Sequence, residues 1–221
     1  AASRGDMPKK AGSNWSTPAQ VNTDPIAINN SSSGYSGKTS LAYNSNSGYF
    51  GLAYAVTSTN YIYFTTSTDG STWSATTTMS TNEVGQGFIG LGFATSSDLA
   101  FSVFSGSDLV VFATSSDGAT WSTSTIENIA YWDDGMRTTF AGVSGPSGSE
   151  VLHAMYSVSK DDFGVEFIYA SSTNYGATWT TTTISGTQLH GDPGDGFPYY
   201  SSFGLDTNGQ PGAVFMDMLE I

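Results

Sequence analysis

The 221-residue chain contains no cysteine, so neither a disulfide framework nor a thiolate metal site can be built from it. Cations are scarce too. Six Lys and Arg stand against 19 Asp and Glu, a net charge of −13 at pH 7. A surface of that sign repels phosphate backbones and anionic headgroups, which argues against nucleic acid as a partner. Divalent cations, neutral glycans and basic proteins stay compatible with it. No apolar run approaches the length of a membrane span, so insertion into a bilayer is not expected. No signal-peptide pattern is visible, which fits a mature secreted domain or a cytosolic one. The sequence also lacks sustained helical periodicity, a zinc motif, a phosphate-cradling Gly loop and an ordered Ser-His-Asp set.

What is present is Ser, Thr, 26 Gly and many rings: 12 Tyr, 13 Phe and 5 Trp. With so few charges, this composition leans towards an extracellular or cell-surface setting. Asn-x-Ser triplets at Asn14, Asn29 and Asn30 are glycosylation acceptors in a eukaryotic secretory pathway, but a Ser-rich chain produces such triplets by chance. The tripeptide Arg4-Gly5-Asp6 resembles an integrin ligand and is also explained by chance. It falls in residues 1–13, which read as a flexible N-terminal segment ahead of one domain spanning the chain.

One phrase is written three times. "STDGSTWSATTTM" begins at Ser67, "SSDGATWSTSTI" at Ser115 and "STNYGATWTTTTI" at Ser172. A degenerate fourth copy, "GSNWSTPAQV", surrounds Trp15. The tryptophans Trp15, Trp73, Trp121 and Trp179 are spaced by 58, 48 and 58 residues. That is about the length of a four-stranded antiparallel sheet with its turns. Between the phrases lie short segments such as "TSLAYN", "YFGLAYAVT", "LAFSVF" and "VLHAMYSV", bounded by Gly, Ser and Asn as strands are. The expected fold is all-β, with blades of four antiparallel strands arranged as a propeller. A β-sandwich of three similar hairpins is the competing arrangement. "PYYSSFGLD" and "GAVFMDMLEI" supply the first and second strands of a last blade, and "WSTPAQV" its outer strand. Four blades closed by both termini are therefore expected, with a fragment of a larger propeller as the alternative.

The phrase resembles the Asp-box, Ser/Thr-x-Asp-x-Gly-x-Thr-Trp, of sialidase-like propellers built from bacterial-neuraminidase repeats. Ser172, Asn174, Gly176, Thr178 and Trp179 match it at full length, with Asn for Asp. Ser67, Asp69, Gly70, Thr72 and Trp73 match a version one residue shorter, as do Ser115, Asp117, Gly118, Thr120 and Trp121. The resemblance covers residues 39 to 205. It implies a turn joining third and fourth strands on the face away from the ligand site, so the phrase is a folding staple. Physical chemistry agrees: the carboxylate accepts turn N–H groups, Gly takes a left-handed conformation, and Trp buries a ring between adjacent strands. The family includes sialidases, other glycosidases, glycan-binding propellers and sorting receptors, so the fold leaves the function open. A sialidase of the usual pattern is excluded. It binds the substrate carboxylate with three arginines, and this chain has only Arg4 and Arg137.

Chemistry is expected in the loops that lead from each fourth strand to the next first strand. "STNEVGQGF" carries Glu83. "ENIAYWDDGMRTTF" carries Glu127, Tyr131, Trp132, Asp133, Asp134 and Arg137. "SGTQLHGDPGDGFPYY" carries His190, Asp192, Asp195, Tyr199 and Tyr200. Three readings compete. Asp133 or Asp134 paired with Asp192 or Asp195 suits glycoside hydrolysis, one carboxyl protonating the leaving oxygen and the other activating water. Asp192 and Asp195 also suit Ca²⁺, which takes oxygen ligands, although no cofactor is required. The third reading is that these are turn formers between blades. Glu83, Tyr131, Trp132, Arg137, His190 and Tyr199 are the candidate contacts to a bound glycan or polysaccharide. His153, within "VLHAMY", reads as a strand residue. Binding of carbohydrate without catalysis is the preferred function, glycoside hydrolysis the alternative, and an adhesive or structural domain in a larger surface protein the third.

Overall fold

The computed structural model describes residues 21, 39–56, 59, 61–81, 84–95, 97–106, 109–128, 137–146, 148–160, 164–184 and 201–215. Fourteen strands run through them, and no helix occurs among the described residues. Strands β1 (Thr39–Asn44), β2 (Tyr49–Ala55), β3 (Ile62–Ser67) and β4 (Thr77–Ser80) form the first sheet in sequential order. The second holds β5 (Val84–Phe93), β6 (Ala100–Gly106), β7 (Leu109–Ser115) and β8 (Ser122–Asn128). The third holds β9 (Arg137–Ser144), β10 (Val151–Lys160), β11 (Gly164–Ser172) and β12 (Thr180–Thr183). A two-stranded fourth sheet pairs β13 (Ser201–Leu205) with β14 (Pro211–Phe215). Every strand pair is antiparallel, as short hairpin connections require.

The apolar cores lie between the sheets. Ala53, Ile62 and Phe64 of the first sheet bury against Ile89, Phe93, Phe104 and Val111 of the second. Phe101, Val103 and Phe112 of the second bury against Ala141, Leu152, Tyr156 and Ile168 of the third. Met155 and Phe167 of the third meet Phe203 and Ala213 of the fourth. The first strands line one another: β5 packs on β1 and on β9, and β9 packs on β13. Their small residues make this possible. A Cβ on Gly92 of β5 would lie 3.2 Å from the Ala141 carbonyl oxygen of β9 and 2.6 Å from the Phe101 ring.

Sheets packed face to face in sequence, with first strands innermost, define the blades of a β-propeller. The β-sandwich is thereby set aside. β13 and β14 are the expected first two strands of a further blade. The outer strand expected from residues 15–21, and the closure it would complete, lie outside the described residues apart from Val21.

A polar cluster interrupts the apolar interior of the third blade. His153 on β10 is buried, with Nε2 2.7 Å from the Ser144 hydroxyl and Nδ1 2.6 Å from the Tyr169 hydroxyl. A neutral imidazole satisfies both contacts, one nitrogen donating and the other accepting. Burial holds the His153 pKa below the ordinary histidine value. The unfolded chain therefore takes the proton first as pH falls. Stability from this group is complete above about pH 6.5 and is lost as pH drops through the lower folded value. Urea midpoints measured between pH 7.5 and 5 should decline, and His153→Gln should flatten that decline. An equal decline in the variant would remove His153 as its source.

Candidate functional site

The repeated phrase builds three turns on one hydrogen-bond plan, the third a residue longer. In the first, Asp69 Oδ1 accepts the N–H groups of Ser71 and Thr72 at 2.7 Å each. Ser67 Oγ donates to the same oxygen at 3.1 Å and accepts the Gly70 N–H at 2.8 Å. The second repeats this with Asp117 accepting from Ala119 and Thr120, and Ser115 holding Gly118. These backbone donors pull the Asp69 and Asp117 carboxyls down to a pKa of about 2. In the third, Asn174 Oδ1 accepts the Thr178 N–H at 2.9 Å, and its amide donates to Thr178 Oγ1 at 2.8 Å. The extra residue, Tyr175, sits at φ 55°.

The second and third turns each dock on the blade before them. The Trp121 indole stands edge-on to Phe64 at 5.0 Å, and Trp179 to Phe112 at 5.1 Å. Thr77 of β4 donates to the Gly118 carbonyl at 2.8 Å. The expectation that the tryptophan packs between adjacent strands is corrected here: it packs between adjacent blades. Third-strand phenylalanines face the next blade, and the indole follows the turn onto them.

The turns between first and second strands are tied together at this same end. Asn44 and Asn46 amides donate to Asp98 Oδ1 at 3.0 Å each, joined by the Ser47 hydroxyl. Thr95 donates to Glu150 at 2.8 Å, one blade further on. Gly209, in the β13–β14 turn, lies against Ser144. In an antiparallel meander, the first-to-second and third-to-fourth turns share one end of every sheet. The repeated phrase therefore occupies that end. The connections β4–β5, β8–β9 and β12–β13 leave from the other, opening at the starts of neighbouring first strands.

Those connections contain most of the candidate residues. Glu83, Tyr131, Trp132, Asp133, Asp134, His190, Asp192, Asp195, Tyr199 and Tyr200 lie outside the described residues. Arg137 opens β9, its backbone paired with Ser157. Glu127 was expected in the loop and instead belongs to β8, opposite Val110. Its carboxylate accepts a 2.8 Å hydrogen bond from the buried Tyr156 hydroxyl of the third blade. Burial first, and then that carboxylate, push the Tyr156 pKa far above the usual tyrosine value. Glu127 thus ties two blades together beneath the loop end. Among the described residues, no group of three or more His, Asp or Glu could hold a metal ion, so the calcium expectation stays with Asp192 and Asp195. Nor is any helix there long and apolar enough to cross a membrane.

Sequence reasoning did not single out Asp98, Glu150, Tyr156 or Tyr169. Their partners lie in other strands, often a blade away, and no local spacing announces such a contact.

No protein-family model matches the sequence, and no curated protein matches it. Among solved structures, the chain resembles the E242A mutant of the α-L-arabinofuranosidase Arb93A from Fusarium graminearum, in complex with an iminosugar inhibitor. Identity is 14%, TM-score 0.46, with 75% of this chain and 50% of that one covered. It also resembles the K499G mutant of NanB sialidase from Streptococcus pneumoniae, at 20% identity and TM-score 0.44. That likeness covers 73% of this chain and 24% of the sialidase. The chain thus spans half the length of the first structure and about a quarter of the second.

Proposed function

We propose that the chain is an extracellular propeller of the Asp-box type that binds neutral carbohydrate at its loop-bearing end. The observation that carries this reading is the separation of the two ends. The phrase turns and Asp98 and Glu150 ties occupy one end as structural fastenings. The loops richest in carboxylates and rings leave from the other end, ahead of β9 and β13, which pack side by side. Trp132, Tyr131 and Tyr199 offer flat apolar faces for sugar C–H groups, and Asp133, Asp134, Asp192 and Asp195 accept from hydroxyls. Arg137 and His190 supply donors to ring or glycosidic oxygens. A net charge of −13 disfavours anionic glycans.

Asp192→Asn is expected to weaken glycan binding at least tenfold while leaving the urea midpoint unchanged, since it removes charge from a connecting loop. Calorimetric titration with the best ligand of a glycan array measures the first, and denaturation the second. Hydrolysis of that ligand, abolished in Asp192→Asn and Asp133→Asn, would turn the reading to glycoside hydrolase. Loss of Ca²⁺ binding alone would make Asp192 a metal ligand. If no sugar is bound or cleaved and no cation is held, the loops are turn formers and the site is withdrawn.

A further inference from the structure

The first two seams between consecutive blades share one plan, and at the fastened end they differ in what stands over the acidic tie. In the third blade, the extra residue Tyr175 reaches from the phrase turn back to that blade's first turn. Its hydroxyl donates to Glu150 at 3.3 Å, so a ring with a hydroxyl, 41% exposed, stands over a buried carboxylate. Tyr175 adopts φ 55°, a left-handed conformation that favours glycine, in order to stand there. The second blade has the corresponding turns, with Ser115 and Asp117 accepting from Gly118 and Thr120 as Ser172 and Asn174 accept from Gly176 and Thr178, and an acidic residue, Asp98, in the place of Glu150. It lacks the extra residue.

A cavity of about 420 Å³ is open at that place, lined by Tyr49, Phe64, Thr66, Asp98 and the turn residues Ser116 and Asp117. Asp98 spends Oδ1 on its three donors, Asn44, Asn46 and Ser47, and Oδ2 takes none of them. The protein thus presents, side by side, one seam whose buried carboxylate is covered by its own ring-bearing hydroxyl and one whose carboxylate, Asp98, is exposed and has no such ring. We infer that the open seam between the first and second blades is a second binding site. It takes a single hydroxyl-bearing ring from solution, a neutral monosaccharide unit, in the position that Tyr175 fills one blade later.

The chemistry is complementary throughout. Half-buried Tyr49 offers an aromatic edge, Asp98 Oδ2 an acceptor for a ring hydroxyl, and Thr66 and Ser116 further hydroxyls. The Ser47, Asn46 and Asn44 donors hold the Asp98 carboxyl below its usual pKa, which favours the ionised acceptor. Among the described residues no Lys or Arg lines the cavity, so an anionic sugar is a poor occupant. The site lies at the end opposite the loops and does not depend on the loop reading.

The test is a titration of the isotope-labelled chain with methyl glycosides of neutral hexoses, and separately with N-acetyltyrosinamide, read as amide shifts of Asp98, Gly118 and Ala119. Saturable shifts with a methyl glycoside are expected in the wild type and in Asp192→Asn alike. Inserting a tyrosine between Asp117 and Gly118, which copies the third phrase, should weaken them at least tenfold. Ser116→Tyr should act in the same direction without changing the length of the turn. Shifts with N-acetyltyrosinamide alone would mean that a phenol of a peptide is the occupant and would overturn the sugar assignment. No shifts with either probe in the wild type, or shifts untouched by both filling variants, would overturn the site.

Discussion

Gly176→Ala is expected to be among the most damaging single-methyl changes available, costing about 3–5 kcal/mol from overpacking together with left-handed strain. Gly176 sits at φ 84°, and a Cβ built on it would stand 2.1 Å from the Phe112 ring of the preceding blade. That ring cannot swing away. It is buried, stacked on Phe101 and held edge-on by Trp179. Gly70 provides the internal control, because it has the same role in the first turn, φ 72°, and nothing within 4 Å of the added methyl. Gly70→Ala should therefore cost only the backbone term, about 1–2 kcal/mol. Urea unfolding of the two variants measures the difference directly. Equal costs would mean that the third turn does not rest on the second blade.

Trp121→Ala should cost about 3 kcal/mol, the lower end for emptying an aromatic site, since this indole is half-buried. Its ring covers Phe64, and its N–H finds no acceptor among the described residues, so packing is the main loss on truncation. The partnership is testable on its own. A double-mutant cycle between Trp121→Ala and Phe64→Leu should show a coupling of about 0.5–1.5 kcal/mol, as contacting aromatic pairs do. Trp73 is the reference, because the blade before it is not among the described sheets. Affinity at the loop end should hardly move in the folded fraction of Trp121→Ala. Collapse of affinity with an unchanged melting temperature would place the phrase in a binding site and not in the fastening.

The blades were legible because their information is local. Segments such as "TSLAYN" and "VLHAMYSV" are bracketed by turn residues, and each appears as a strand near its expected position. The roles of Asp69, Asp117 and Gly70 followed from turn chemistry, which needs only residues three or four apart. What sequence could not supply was the partner across a seam. Trp121 and Phe64 lie in different blades, and both would satisfy a within-sheet packing equally well on paper. Glu127 was placed one element late because β8 continues beyond "STSTI", with a register shift at Val110/Val111 that no residue type marks. Asp98 and Glu150 carry no sequence signal of their own, and only the neighbouring blade shows that they are ties. The acidic loops remain a reading of residue type, since Asp133, Asp134, Asp192 and Asp195 lie outside the described residues.

The division of labour between the two ends is tested most directly by a crystal of the chain soaked with the oligosaccharide that binds best. The account predicts sugar density between the 129–136 and 185–200 connections, with a ring stacked on Trp132 or Tyr199 and a hydroxyl on Asp192 or Asp195. Sugar seated only on the phrase turns, with those connections bare, would contradict it.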